Sequence, residues 1–166
     1  LGTLQRQAEA EVVSLCDTYG VMLRRAAGNV PSAASSDDYR KMLENKDLDI
    51  ISIATPGYWH GLMTINACQA GKDVYVEKPL TLFVREGRWM VQVARKHNRV
   101  VQVGTQQRSG RHYHKARQLI QSGYIGKVVS VRMTAYRNIM PGFGSPPDGT
   151  APHDFDYDMW LGPAPK

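Results

Sequence analysis

The sequence has few cysteines and no long apolar run. Its 166 residues include two cysteines, Cys16 and Cys68, without a C-x-x-C spacing or nearby metal-ligating partners. This pattern predicts buried free thiols and no metal site. His112 and His114 lie only two positions apart, so they face different sides of a helix and form a poor metal pair. No stretch approaches the roughly 20 apolar residues of a membrane-spanning helix, so no membrane span is predicted.

Clustered charge of one sign is also scarce. The formal net charge is +6, from 21 basic and 15 acidic residues, but the basic residues are scattered over predicted helix faces. One denser group contains Arg108, Arg111, Lys115 and Arg117. Zinc-finger spacing, an RNA-binding aromatic strand pair and a basic arm are all missing. The charge pattern therefore predicts solvated helix faces and no nucleic-acid partner.

The chain has the size of one ordinary domain, and its hydrophobic content of 42% is enough for a packed core. Short β-favouring runs alternate with amphipathic helical patterns, which predicts an α/β fold with a parallel sheet and helices on both faces. Residues 31–36 are predicted to form a loop. Predicted strands cover residues 11–17, 48–54, 74–76 and 100–104; predicted helices cover residues 19–27, 38–45, 58–70, 82–98 and 111–122.

Periodicity also predicts which helix faces are buried. In the helix at 82–98, Met90, Val91 and Ala94 are predicted to point inward, together with Gly87. The helix at 111–122 is predicted to pack inward through Tyr113, Ala116, Leu119 and Ile120.

The pattern changes after residue 126. Apolar and polar residues alternate over residues 127–137, which predicts the first strand of an antiparallel sheet in a second domain. A loop rich in glycine and proline follows at residues 139–152. Acids then alternate over residues 153–158, but Met159 and Pro165 stand where an EF-hand needs glycine and glutamate, so no calcium loop is predicted.

Lys78 is the central candidate for chemistry. It follows the strand at 74–76, between Glu77 and Pro79. Ligands of open α/β sheets bind beyond the carboxyl ends of the strands, where such a lysine can exchange protons with a substrate hydroxyl. The alternative is a surface lysine in a strand-to-helix turn.

Asp17 ends an earlier predicted strand. In dinucleotide-binding α/β units, a carboxylate at the tip of the second strand binds the adenosine ribose, about 20 residues after a glycine-rich turn. Counting back from Asp17, we expect that turn just before Leu1, outside this chain. Asp17 can equally cap the helix that follows it, and the two roles do not exclude each other.

Two further strand tips carry polar groups or turn residues. Thr55 and Pro56 end the strand at 48–54, and residues 105–108 follow the strand at 100–104. Because parallel strands end at one edge of their sheet, we expect these tips to line one crevice.

A series of short motifs closely resembles the Gfo/Idh/MocA oxidoreductases, the group of glucose-fructose oxidoreductase and inositol dehydrogenase: residues 51–56, Trp59 with His60, residues 70–80 and residues 104–108. Residues 123–128 resemble the junction between that family's two domains. The resemblance covers nearly the whole chain. It implies an incomplete Rossmann-type parallel sheet followed by the start of a second α+β domain with an antiparallel sheet.

The resemblance implies domain boundaries. Residues 1–123 correspond to an NAD-binding Rossmann domain whose first strand and glycine-rich turn are missing. Residues 124–166 correspond to the beginning of the substrate and oligomerisation domain, and residues 156–165 resemble a segment found early in that domain in one bacterial branch. We expect the chain by itself to be catalytically incompetent, with an unpaired edge on the strand at 11–17.

The resemblance also implies roles for individual residues. Lys78 would be the catalytic proton relay. Asp17 would contact the adenosine ribose, and Glu77 and Lys78 would lie beside the nicotinamide ribose and the reacting carbon. The remaining implied positions are Thr55, Pro56 and His60 on the cofactor cleft, and Gln107 and Arg108 near the cofactor or substrate.

The implied activity is hydride transfer between NAD and a sugar, polyol or related hydroxyl compound. A carboxylate at position 17 favours NAD over NADP because it repels a 2′-phosphate. Two alternatives stay open: an NAD-dependent glycoside hydrolase of the same superfamily, and a non-catalytic NAD-linked sensor. The resemblance implies a homo-oligomer assembled through the second-domain sheet, and the sequence leaves the compartment open.

Overall fold

The computed structural model describes residue 2 and residues 4–134, 142 and 144–165. It contains two compact units. The first joins Leu1–Gly104 to Ala151–Lys166, and the second is Thr105–Thr150. Among the described residues, no helix is long and apolar enough to span a membrane.

Two parallel sheets form the framework of the first unit. One pairs β1 (Ser14–Cys16) with β2 (Ala34–Ser36), and the other has the order β3 (Ile50–Ile53), β4 (Asp73–Glu77), β5 (Val101–Gly104). Within these two sheets every strand pairing is parallel, and an isolated antiparallel bridge joins Tyr19 to Phe155. The helices of this unit are α1 (Gly20–Asn29), α2 (Tyr39–Leu43), α3 (His60–Gln69) and α4 (Val84–Lys96), and the second unit contains α5 (Arg111–Gln121). A last helix, α6 (Tyr157–Leu161), returns to the first unit. The predicted α/β fold with parallel strands is confirmed.

The core of the first unit lies where α3 covers the β3–β4 pair. Ile51 and Ile53 alternate with exposed neighbours, and Val74 and Val76 are buried beside them. Burying a side chain of this size stabilises the fold by about 1.5–3 kcal/mol. In the order β3-β4-β5, the predicted strand at 74–76 is the central strand of the sheet.

A gap separates the two sheets. In the described part of the chain, β1 pairs only with β2, and β3 pairs only with β4 on one edge. Residues of both strands line one cavity of about 450 Å³, and its inner walls are apolar side chains such as Leu15, Leu48 and Ile51. The cavity therefore extends from the core toward the strand tips.

Helix α4 begins at Val84, shortly after the turn formed by Lys78 and Pro79, which we call the lysine turn. The Glu86 carboxylate accepts hydrogen bonds from the amides of Leu82 (2.9 Å) and Phe83 (3.1 Å), which are otherwise unpaired at a helix start. Met90 is buried as predicted, but Val91 is 41% exposed. Val93 packs on the core instead, because the contacting stripe runs through positions spaced by three and four from Met90.

Two elements were not predicted. Strand β2 lies within residues 31–36, where serines and a proline predicted a loop, and it forms because its backbone pairs with β1. Helix α6 begins after Asp156, whose carboxylate accepts from the Met159 amide at 2.9 Å. An N-cap acid before an apolar run is a signal that could have predicted this helix.

The prediction of a strand at residues 127–137 is wrong over residues 127–134, which form no strand. Residues 135–137 lie outside the described part. A lone strand is not stable without neighbours, and the described residues of Thr105–Thr150 contain no strand to pair with it. On α5, Tyr113 and Ile120 are about half exposed rather than inward, because the described part of this unit offers little for them to pack against.

Candidate functional site

Three strand tips supply the candidate residues. Asp17 follows β1, Thr55 follows β3, and Lys78 follows β4. The exposed carboxylate of Asp17 accepts a hydrogen bond from the Tyr19 amide at 2.9 Å. The N-cap of α1 is Tyr19 and has no side-chain cap bond, so the predicted capping role of Asp17 is wrong. One bond of this kind leaves further acceptor capacity on the carboxylate.

The tips of β1 and β3 open onto the same cavity. Asp17 and Thr18 from one sheet, and Thr55 and Pro56 from the other, line the outer part of the 450 Å³ cavity. Asp17 also lines a second cavity of about 370 Å³ with Asp37. Cavities of roughly 300–1,000 Å³ are the usual size for small-molecule sites, and the whole cavity, including its apolar walls, falls within this range.

Three carboxylates act on the Cys16 thiol at the end of β1, and two of them are ion-paired, Asp38 with Arg40 and Asp37 with Lys41. Burial raises the pKa of the Cys16 thiol to about 12, and the carboxylates of Asp38, Asp17 and Asp37 add to the rise. The thiol is therefore protonated and not a nucleophile at neutral pH. Both cysteines are free, as predicted, but only Cys68 is fully buried; Cys16 is partly buried.

Lys78 directly follows Glu77, the last residue of β4. Its backbone amide donates to the Glu77 carboxylate at 3.2 Å, and its peptide bond to Pro79 is cis. The side chain is exposed. Its position at a strand tip, outside any helix, is the one that the sequence predicts, and its amine is accessible to a ligand.

His60 lies elsewhere than the resemblance implies. It is 1% exposed, and both ring nitrogens face backbone carbonyls: Nδ1 is 2.6 Å from the Pro79 oxygen and Nε2 is 2.9 Å from the Thr55 oxygen. A ring used in this way presents no nitrogen to a ligand. His60 therefore lies behind the cleft, where it connects the loop after β3 to the lysine turn.

Gln107 and Arg108 belong to the second unit, in a short 3-10 helix, Gln106–Ser109, and both are exposed. Their predicted place near the cofactor or substrate stays a prediction. Among the described residues, no group of three or more metal-ligating side chains could hold a metal ion.

Glu77 is held against β5 at a glycine. The two residues are paired across the sheet, and a Cβ on Gly104 would lie 2.9 Å from Glu77 Oε1 and 3.0 Å from the Tyr75 hydroxyl. Real Cβ atoms do not approach other atoms this closely, so glycine is needed where the carboxylate rests.

We expect Gly104→Ala to displace the Glu77 carboxylate. Because the crowded atoms end flexible side chains, the free energy of unfolding should fall by no more than about 1–3 kcal/mol, the usual range for overpacking. Nucleotide affinity of the whole protein should fall if Glu77 binds the ribose. Thermal unfolding and calorimetric titration with NAD measure the two effects. Gly87→Ala is the matched control, since its nearest contact is an ordinary 3.7 Å; equal behaviour of the two variants would contradict the expectation.

Sequence reasoning missed the residues that close the side of the cavity. The indole of Trp59 and the hydroxyl of Tyr58 both donate to the carbonyl of Trp160 at 3.0 Å. Met159 and Trp160 line the cavity with Asp17. These contacts join positions about a hundred residues apart, so no local pattern could have predicted them.

Comparison with known proteins identifies the family of this fold. Residues 2–105 match the family model GFO_IDH_MocA, described as an oxidoreductase family with an NAD-binding Rossmann fold. The chain belongs to the Gfo/Idh/MocA oxidoreductase family. The match to an NAD-binding Rossmann fold covers residues 2–105, and the predicted resemblance is confirmed.

Individual Gfo/Idh/MocA relatives differ in activity. The chain is 34% identical over 112 residues to scyllo-inositol 2-dehydrogenase (NAD(+)) of Bacillus subtilis, which covers 68% of the chain and 31% of that protein. It is 29% identical over 128 residues to a glycosyl hydrolase family 109 protein of Shewanella sp., covering 72% of the chain and 28% of the relative. The chain therefore spans less than a third of the length of these two relatives.

A solved structure is similar in fold. It is the WlbA dehydrogenase from Bordetella pertussis in complex with NADH and UDP-GlcNAcA, with a TM-score of 0.72 and 28% identity. The match covers 76% of this Gfo/Idh/MocA chain and 36% of that one.

Proposed function

We propose that the protein is an NAD-dependent dehydrogenase that transfers a hydride between the cofactor and a sugar, polyol or related hydroxyl compound. The observation that carries this proposal is the shared cavity at the strand tips, lined by Asp17 from one sheet and by Thr55 and Pro56 from the other. The lysine turn is tied to the same loop, since His60 lies between the carbonyls of Thr55 and Pro79.

The residues present suit a dinucleotide. Asp17 offers carboxylate oxygens to a ribose hydroxyl at the tip of β1, and Glu77 offers the same chemistry at the tip of β4. NAD supplies the hydride acceptor when it is bound. The exposed amine of Lys78 is able to hydrogen-bond the substrate oxygen, to take up its proton during oxidation and to return it during reduction. An ammonium there also stabilises negative charge that develops on that oxygen.

The proposal is tested in the whole protein. Titration with NAD should show binding, and addition of inositols, free sugars or sugar nucleotides in turn should produce reduced nicotinamide, measured by its absorbance. Binding of NAD without reduction by any hydroxyl compound would contradict the dehydrogenase assignment and favour a sensor.

We expect Asp17 to determine the preference for NAD over NADP. A 2′-phosphate at this position would meet the carboxylates of Asp17 and Asp37, which line the same cavity. Asp17→Asn keeps the acceptor for the Tyr19 amide but removes the charge. We expect the Kd for NAD to rise about tenfold, as for loss of a hydrogen bond to a charged group. The ratio of the Kd for NADP to the Kd for NAD should fall. Calorimetry with both nucleotides measures this. The control is Asp47→Asn, an exposed acid away from both cavities; an unchanged NAD to NADP ratio in D17N would contradict the role.

A second activity is favoured by the glycosyl hydrolase family 109 relatives. In that case the bound NAD would be reduced and then reoxidised within one turnover. The net product would be a hydrolysed glycoside. Nitrophenyl glycosides distinguish the two activities: release of nitrophenol with no net accumulation of reduced nicotinamide would assign the hydrolase.

A further inference from the structure

The buried side chain of His60 contacts two loops of the site, the one after β3 and the lysine turn. It is the first residue of α3, so its backbone position is fixed by a regular helix. Its ring nitrogens face two backbone carbonyls. One is that of Pro79, next to Lys78, and the other is that of Thr55, just beyond the end of β3. The two loops also pack together, because a Cβ on Gly57 would lie 3.3 Å from Pro79 Cγ.

Both partners of the ring are acceptors. A carbonyl oxygen cannot donate, so each contact is a hydrogen bond only when the facing ring nitrogen carries a proton. The doubly protonated ring satisfies both carbonyls, whereas a neutral ring satisfies one. The contact from Nδ1 to the Pro79 oxygen is the shorter of the two, at 2.6 Å against 2.9 Å.

Leu80 packs against the core just after the lysine turn, and side chains bond the backbone on either side of the turn. Before Lys78, the Glu77 carboxylate holds the amide of Lys78 itself. After Pro79, the next side-chain contacts of the backbone are those of Glu86 with the amides of Leu82 and Phe83. The Pro79 carbonyl lies between these two anchors, so the histidine is placed to fix the segment that carries the amine.

We infer that His60 is a positioning residue for Lys78, acting through donation of its Nδ1–H to the Pro79 carbonyl. This inference rests on the proposed role of Lys78 in hydride-transfer chemistry, and it adds a residue that touches neither substrate nor cofactor. Displacing a catalytic group by about 1 Å can lower the rate about a hundredfold. Loss of the bond should therefore reduce kcat more than it changes nucleotide affinity.

Three substitutions separate this role from packing. His60→Asn places an amide nitrogen near the position of Nδ1 and keeps a donor for Pro79. His60→Gln places it near the position of Nε2 and keeps a donor for Thr55 only. His60→Phe fills the volume and offers no donor.

The measurement is hydrogen exchange of the Leu82 and Phe83 amides in the whole protein, followed by mass spectrometry. We expect exchange in H60Q and H60F to be roughly ten- to hundredfold faster than in the wild type, the factor for one buried hydrogen bond, and H60N to stay within about twofold. The kcat values should follow the same order, while the Kd for NAD changes by less than about threefold.

The outcomes are distinct. If H60F is the mildest variant, or if all three behave alike, His60 only fills space and the inference is wrong. If H60Q stays near wild type and H60N does not, the Thr55 contact is the important one and the inference is also wrong. The hydrogen-exchange rates test the positioning role of His60 even if the wild-type protein transfers no hydride. In that case the proposed function fails separately.

Discussion

Replacing Lys78 by methionine should lower kcat for hydroxyl oxidation by roughly 10²–10⁴-fold, the usual contribution of a positioned acid or base. The side chain is exposed at the tip of β4 and does not support the core, so the free energy of unfolding should change little. The Kd for NAD should stay within a few fold, because the carboxylates of Asp17 and Glu77 are untouched. Steady-state kinetics, calorimetry with NAD and a thermal melt together measure these three quantities.

Arginine provides the sharper comparison at this position. Lys78→Arg keeps the positive charge but cannot release a proton near neutral pH. If Lys78 only attracts substrate or cofactor by charge, K78R should remain active; if it moves a proton, K78R should be nearly as slow as K78M. Lys46→Met, at an exposed site away from the strand tips, is the matched control. Full activity of K78M would mean that the lysine is an ordinary surface residue of the turn, and the proposed dehydrogenase would be wrong.

The elements that the sequence predicts correctly are those set by local pattern. Strand β4 combines β-branched residues with a proline just beyond it, and α4 has a charged face opposite the stripe through Met90. Both signals depend on residues within one element. The places of Asp17, Thr55 and Lys78 could be predicted in the same way. Once the end of a strand is predicted, the position of the next side chain at the edge of the sheet is predicted too.

The elements that the sequence misses depend on distant partners. Strand β2 exists because β1 lies beside it, and residues 127–134 have a strand pattern but no strand to pair with in the described part of their unit. His60 shows the same limit within the site. The family resemblance implied a place on the cofactor cleft, but two carbonyls from separate loops hold its ring in the interior.

Gly162 lies where α6 contacts the first unit, against the ring of Trp59. It ends α6 with φ at +49°, in the left-handed region that favours glycine. A Cβ there would lie well inside the van der Waals distance of the Trp59 ring. That ring cannot retreat easily, since Trp59 is 7% exposed and packs edge-on against Tyr39 at 5.7 Å.

We therefore expect Gly162→Ala to detach α6 from the first unit. The variant should lose the two hydrogen bonds to the Trp160 carbonyl and leave the Trp59 indole without its acceptor, which costs about 1–3 kcal/mol for a buried donor. Indole fluorescence should report the change in the surroundings of Trp59, and a thermal melt should show the lost stability.

The same substitution tests whether α6 belongs to the site. Met159 and Trp160 line the cavity with Asp17 and Thr55, so detachment should weaken NAD binding as well as stability. Gly149→Ala is the control, because nothing lies within 4 Å of a Cβ there. If G162A loses stability but binds NAD with unchanged affinity, α6 only supports Trp59 and the nucleotide lies on the Asp17 side of the cavity. If neither property changes, the contact between Gly162 and Trp59 does not exist in solution.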